Sequence, residues 1–216
     1  MTVMQIVQQL FGSMGITMEI FFVTLITSLI LGLGLALIRM SKNPILSVIA
    51  KFYISVMRGT PLMLQLLVVY FGPFFIFGMQ ITPSYRLKAV LIGFALNYAA
   101  YFAEIYRSGI AAIPVGQYEA AQLLGYNKSQ TFFKIVLPQV VKIVLPSVTN
   151  EVITLVKDTS LVYSVYYIEM FALAKQIAAA QTTVIPFVIA GVFYYIFNFV
   201  VAWVMEWFEK KLNYYR

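Results

Sequence analysis

The chain has 216 residues, of which 62% are hydrophobic and 11% charged, with 15 Lys and Arg against eight Asp and Glu. A soluble domain is about a quarter charged, so this balance belongs in a bilayer. The absence of cysteine and histidine excludes disulfides, thiol redox chemistry, Cys/His metal sites and histidine acid–base catalysis.

At the start, Val3, Ile6, Val7, Leu10 and Phe11 recur at helical spacing, with Gln5, Gln8 and Gln9 between them. This predicts a short amphipathic helix over about residues 1–14, lying in the membrane interface. No basic leader precedes it, so a cleaved signal peptide is not expected and the first span is the targeting element.

Stretches 20–38, 59–85 and 176–205 carry no charge, and each is long enough for a span of about 20 residues. Stretches 88–107 and 142–167 are apolar but contain Glu104 in the first and Glu151, Lys157 and Asp158 in the second. They read as spans too, because ionisable residues at membrane depth face a bundle interior or a wet cavity. The expected fold is therefore an all-α polytopic membrane protein with five transmembrane helices in one domain, residues 1–216, without internal repeats or linkers.

Ser41-Lys42-Asn43-Pro44 closes the first span, and Pro44 suits the first turn of the next helix. Arg58-Gly59-Thr60-Pro61 weakens the hydrogen-bond ladder and predicts a bend. A mixed segment, 169–183, precedes the last span.

Eleven of the Lys and Arg residues follow the first, third or fifth span, among them Arg39, Lys51, Arg107, Lys134, Lys210 and Arg216. Only Arg86, Lys88 and Lys175 fall on the other side. This bias puts the N-terminus outside and the C-terminus in the cytoplasm, and it explains the net charge of +7 without nucleic acid.

Residues 114–138 form a polar interruption on the predicted cytoplasmic side. Gln117 to Leu124 has good helical propensity, Gly125 stands at the C′ position, and Asn127 with Gln130 forms a capping box for a second helix. Ala120, Ala121 and Gly125 allow another backbone to approach, Glu119 offers a carboxylate, and Leu123 and Leu124 offer an apolar ridge.

Within the spans, Asn97 and Glu104 are two turns apart and share a helix face, as do Glu151 and Asp158. With Thr159 and Ser160 they make a candidate substrate pocket, the carboxylates suiting an ammonium group. A purely structural arrangement is the alternative, with Glu104 paired to Arg107 and Asp158 or Glu151 paired to Lys157 or Arg58. Tyr194, Tyr195, Phe197 and Phe199 read as packing or lipid-facing residues.

Glu119-Ala120-Ala121, then Gly125, then Ile135-Val136-Leu137-Pro138, resembles the EAA loop of the membrane subunits of bacterial ABC importers. Arg58-Gly59-Thr60-Pro61-Leu62 with Gln65, Ala103-Glu104-Ile105-Tyr106-Arg107-Ser108-Gly109-Ile110, and Asn150-Glu151 with Lys157-Asp158-Thr159-Ser160-Leu161 resemble the polar amino-acid permeases of that superfamily. Ser108 stands where glycine often follows the arginine. Together the matches span roughly residues 15–212.

The resemblance implies a permease subunit in the bacterial cytoplasmic membrane that pairs with a second copy or a close paralogue. It also implies two ATP-binding-cassette subunits gripped through Glu119, Ala120, Ala121, Leu123, Leu124 and Gly125, an extracytoplasmic binding protein, and alternating access driven by ATP. ATP and Mg²⁺ then belong to the partner ATPase, since the chain has no Gly-x-x-x-x-Gly-Lys-Ser/Thr run and no catalytic or metal residues of its own are expected. A secondary transporter or channel is the competing reading, and the cargo stays open between an arginine-like and a glutamine-like amino acid.

Overall fold

The computed structural model describes residues 1–212, and its secondary structure there is entirely helical. Arg216, one of the basic residues counted above, lies outside the described residues. Four helices are long and apolar enough to cross a bilayer, and a bent pair adds a fifth candidate.

Helix α1 runs unbroken from Val3 to Arg39, 37 residues, or about 55 Å at 1.5 Å per residue. The amphipathic helix expected over residues 1–14 is therefore not a separate element. Thr2 forms a capping box with Gln5, and Ile6 and Leu10 are buried in the main core. Part of the stripe that read as interfacial thus packs against protein while Val3 and Phe11 stay exposed, because periodicity reports an apolar neighbour without saying which.

Helix α4, Pro83–Ala111, is the axle of the bundle, and α1 lies along it. Gly32 and Ala36 of α1 are buried against Ala99, Ala100 and Ala103 of α4, small residues that let the two backbones close up. At Gly32 a Cβ would stand 2.7 Å from Phe102 Cβ and 3.1 Å from the Ala99 carbonyl oxygen, so only glycine fits that crossing.

The stretch 59–85 is not one straight span. Helix α2, Pro44–Gly59, and helix α3, Leu62–Phe77, meet at a bend of 110°. Pro61 cannot continue the ladder and disfavours helical geometry at Thr60 before it, and Thr60 is extended, with φ −121° and ψ 149°. A left-handed Gly78 ends α3.

Helix α5, Val115–Leu123, and the single turn α6, Lys128–Gln130, lead through a π-helical turn, Thr131–Val136, into α7, Leu137–Asp158. Pro138 lacks an N–H and its ring crowds the preceding turn, and the helix is widened just before it. Gln139 Nε2 donates to the Ile135 carbonyl at 2.8 Å. A 3₁₀ segment, Thr159–Val165, ends at Tyr166 in the left-handed conformation, φ 58°.

The mixed segment 169–183 contains a further helix, α8, Met170–Gln181, and the last span, α9, starts only at Ile185 and runs to Leu212. The charge-free stretch from 176 thus straddles two helices. Thr182 at φ 50° makes the turn between them.

Candidate functional site

The break between α2 and α3 frees carbonyl groups that a continuous helix would use, and such groups need partners when water is excluded. Gln65 supplies them: its Nε2 lies 2.9 Å from the Met57 carbonyl, 3.1 Å from the Thr60 carbonyl and 2.8 Å from Thr60 Oγ1. Asn97 completes the joint, donating from Nδ2 to the Met57 carbonyl at 3.1 Å and to Gln65 Oε1 at 2.9 Å. Asn97 is 4% exposed and both its amide hydrogens are spent. Asn97 thereby braces the broken helix.

Glu104 lies one turn from Arg107, and the two form an ion pair in which both Nε and Nη2 donate to Oε1. This is the structural alternative raised for Glu104 by the sequence. The Arg58 guanidinium sits 5.4 Å from the Tyr101 ring centroid.

Asp158, at the end of α7, accepts a hydrogen bond from the buried Tyr98 of α4, Oη to Oδ2 at 2.8 Å. Glu151 stands two turns earlier on the same face, half-buried. Glu104 pairs with Arg107 and Glu206 with Lys210, whereas Glu151 and Asp158 make no direct ion pair among the described residues. Lys157 is exposed on another face of α7. Ser160 Oγ donates to the Lys157 carbonyl at 2.7 Å, and Thr159, fully buried, donates to the Val156 carbonyl at 2.8 Å. A half-buried carboxylate pair with its back held by a tyrosine can receive a cation or a donor.

The sequence reading missed Glu169. It caps α8, accepting from the backbone N–H groups of Phe171 at 2.9 Å and Ala172 at 2.8 Å, from Tyr194 Oη at 2.9 Å and from Thr17 Oγ1 at 3.3 Å. It is fully buried, and burial pushes its carboxyl above the ordinary carboxylate value against the pull of those donors. Its position just before an apolar run with a polar group three residues earlier at Tyr166 gave no pattern to read; the N-cap role of an acidic residue was the only available signal. Tyr194, read as packing, is one of its partners.

At the far end of the bundle, α5 ends in Gly125 with φ +76°. Gly125 N–H donates to the Gln122 carbonyl at 2.9 Å and Tyr126 N–H to the Ala121 carbonyl at 3.0 Å, the paired bonds of a Schellman ending. Asn127 and Gln130 form the reciprocal capping box. Leu123 and Leu124 are 90% and 75% exposed, whereas Ala121 is 2% exposed. Glu119 and Ala120 face outward with the leucines, so Ala121 turns into its own chain and leaves the outward set.

Residues 28–214 match the family described as binding-protein-dependent transport system inner membrane component. The chain is 39% identical over 201 residues to the arginine transport system permease protein ArtQ of Bacillus subtilis (strain 168), covering 93% of this chain and 90% of that protein. It is 36% identical over 199 residues to the putative glutamine transport system permease protein GlnP of Rickettsia bellii (strain RML369-C), covering 91% and 89%. A crystal structure of an amino acid ABC transporter with histidines superposes with a TM-score of 0.87 at 29% identity, covering 98% of this chain and 99% of that one. The break after α2, the exposed α5 ridge and the helical bundle are thus found in a chain that belongs to the family of binding-protein-dependent transport system inner membrane components.

Proposed function

We propose that this chain is the permease subunit of an ATP-binding-cassette importer in the bacterial cytoplasmic membrane, and that it passes a polar amino acid along the face of α7. The observation that carries this reading is the Glu151–Asp158 pair: two carboxylates on one helix face, without a direct ion pair among the described residues, inside a span. A charge at the bilayer centre costs about 2.5–3.5 kcal/mol even on the lenient insertion scale, so two carboxylates that no direct ion pair neutralises are costly to keep there without a use. An amino acid's ammonium group, or a basic side chain, supplies it. Ser160 lies on the adjoining turn as a hydrogen-bonding group, while Thr159 and Asn97 act from behind by fixing the backbone.

The kinship with permeases named for arginine and glutamine supports an amino-acid cargo, and the paired carboxylates favour an arginine-like one. A secondary transporter or channel is not favoured, since the relatives are named as transport system permease proteins and the structural neighbour is an amino acid ABC transporter.

Two ATPase subunits would dock beneath α5, on Glu119, Ala120, Leu123 and Leu124, and would bring ATP and Mg²⁺ with them. A second permease, identical or paralogous, would complete the path, and an extracytoplasmic binding protein would deliver the solute at the end that carries α8. In this orientation the α5 end is cytoplasmic, the bent α2–α3 pair is the remaining span of five, and alternating access moves the α7 face between the two sides.

The test is reconstitution in liposomes with the cognate cassette subunit and binding protein, using radiolabelled arginine and glutamine. ATP-dependent uptake by the complete set, and no ATP hydrolysis by this chain alone, is the expected result. Hydrolysis by the isolated chain, or uptake driven by an ion gradient without the cassette subunit, would overturn the proposal.

A further inference from the structure

Thr17, Tyr194 and Thr159 come from three different parts of the chain, yet all meet around one buried carboxylate. Glu169 Oε2 accepts from Tyr194 Oη at 2.9 Å and from Thr17 Oγ1 at 3.3 Å, while Thr17 Oγ1 also lies 3.5 Å from the backbone N–H of Met170. Tyr194 Oη in turn lies 3.5 Å from Thr159 Oγ1. Thr17, Thr159 and Glu169 are all fully buried. The line of contacts therefore runs from α1 through the start of α8 and α9 to the turn that follows Asp158.

That turn is where α7 changes from α-helix to 3₁₀-helix. Its two sides are held by different phenols. Tyr98 of α4 binds Asp158 on one side, and Tyr194 of α9, oriented by Glu169, touches Thr159 on the other. Both phenols donate to a carboxylate, but Asp158 is half-buried and Glu169 is sealed. Only the first can meet a solute.

A helix cap alone needs one or two acceptor contacts to backbone N–H groups. Glu169 makes those through Phe171 and Ala172, and it makes two further side-chain contacts that a cap does not require. A carboxylate buried without a cation is costly, and an asparagine or serine would cap the helix without that cost. The additional bonds to Thr17 and Tyr194 are what distinguish this residue from a cap.

We infer that Glu169 is a positioning residue for transport: through Tyr194 it sets the α7 to 3₁₀ junction, and so the placement of Asp158 and Ser160 toward the amino acid. The inference rests on the reading of that face as the solute path. It makes Glu169 part of the transport machinery although the solute does not touch it, and it ties the end of the bundle carrying α8 to the centre of the path.

The complete transporter is reconstituted with wild-type chain, Glu169→Gln, Tyr194→Phe and the double variant, and initial uptake of radiolabelled arginine and glutamine is measured over a concentration series. Glu169→Gln keeps the size but turns an amide hydrogen toward donors. It is expected to raise KM by about tenfold, the ratio that corresponds to 1.4 kcal/mol, for each probe the wild type carries. Tyr194→Phe should act in the same direction, and the double variant should be no worse than the more severe single, since both break one chain of contacts. Glu169→Asp, which keeps the charge, should recover part of the loss.

A lower Tm and less assembled transporter with unchanged KM would make Glu169 a cap only and overturn the inference, as would additive effects in the double variant. If Glu169→Gln does not assemble, Tyr194→Phe decides, because it removes a single hydroxyl. Asp158→Asn is measured alongside: a changed KM there with unchanged KM in Tyr194→Phe defeats this inference alone, and unchanged KM in Asp158→Asn defeats both it and the proposed solute path.

Discussion

Replacing Gly125 by valine separates the shape of the α5 turn from the stability of the bundle. Gly125 has φ +76°, and a Cβ built there would meet nothing within 4 Å, so the substitution meets no neighbour and its cost is conformational. A left-handed L-residue costs about 1–2 kcal/mol, and a β-branched side chain lies at the upper end or beyond. Taking about 2 kcal/mol leaves the native turn in about one molecule in 30. Escape from that strain breaks the bonds from Gly125 N–H to Gln122 and from Tyr126 N–H to Ala121, which moves the exposed leucines 123 and 124. In reconstituted transporter, ATP-dependent uptake should fall roughly 30-fold by this population estimate, while the Tm of the purified chain in detergent stays within error. Gly125→Asn should keep most uptake, because asparagine tolerates the left-handed region. Gly116→Val, in the first turn of the same helix with equally open surroundings, should have little effect. Normal uptake by Gly125→Val, or equal losses in the valine and asparagine variants, would refute the argument that this turn must be left-handed for coupling.

Glu151→Gln should weaken uptake of arginine about tenfold more than uptake of glutamine, since a charge-assisted hydrogen bond contributes roughly 1.5–3 kcal/mol; competition assays between the two amino acids read this ratio. Glu104→Gln should lower both by the same factor, because its carboxylate already belongs to Arg107. Asn97→Ala should lower the Tm by removing two hydrogen bonds from the α2–α3 joint, at about 1–3 kcal/mol for buried polar groups left unmatched, and should reduce uptake without changing selectivity. Gly32→Ala should destabilise the α1–α4 seam by about 1–3 kcal/mol through overpacking, whereas Gly34→Ala, with nothing within 4 Å of its Cβ, should leave the Tm unchanged or slightly raised; thermal melts of the two variants compare them directly.

Features held by bonds between near neighbours in the chain were legible from residues alone. The left-handed Gly125, the capping box of Asn127 with Gln130 and the interruption at Arg58-Gly59-Thr60-Pro61 each depend on a few adjacent residues. The stretch that packs as α1 was legible as apolar but not as a single 37-residue helix, because hydropathy does not say whether lipid or protein covers a face. The start of α9 at Ile185 was hidden for the same reason, since the absence of charge ran on through a turn that Thr182 makes by its backbone conformation.

The sequence by itself determined that this chain carries membrane spans, that it bends at Arg58-Gly59-Thr60-Pro61 and turns at Gly125, and that ionisable groups lie inside its spans. Only the tertiary structure decided which of those groups are occupied. Asn97 is spent on Met57 and Gln65, 40 and 32 residues away, Asp158 is held by Tyr98 across 60 residues, and Glu169 by Thr17 across 152. The physical reason is range: caps and turns close within one or two turns of chain, whereas a buried polar side chain takes whichever donor the packing brings within about 3 Å, and that donor is set by how α1, α4, α7, α8 and α9 stack.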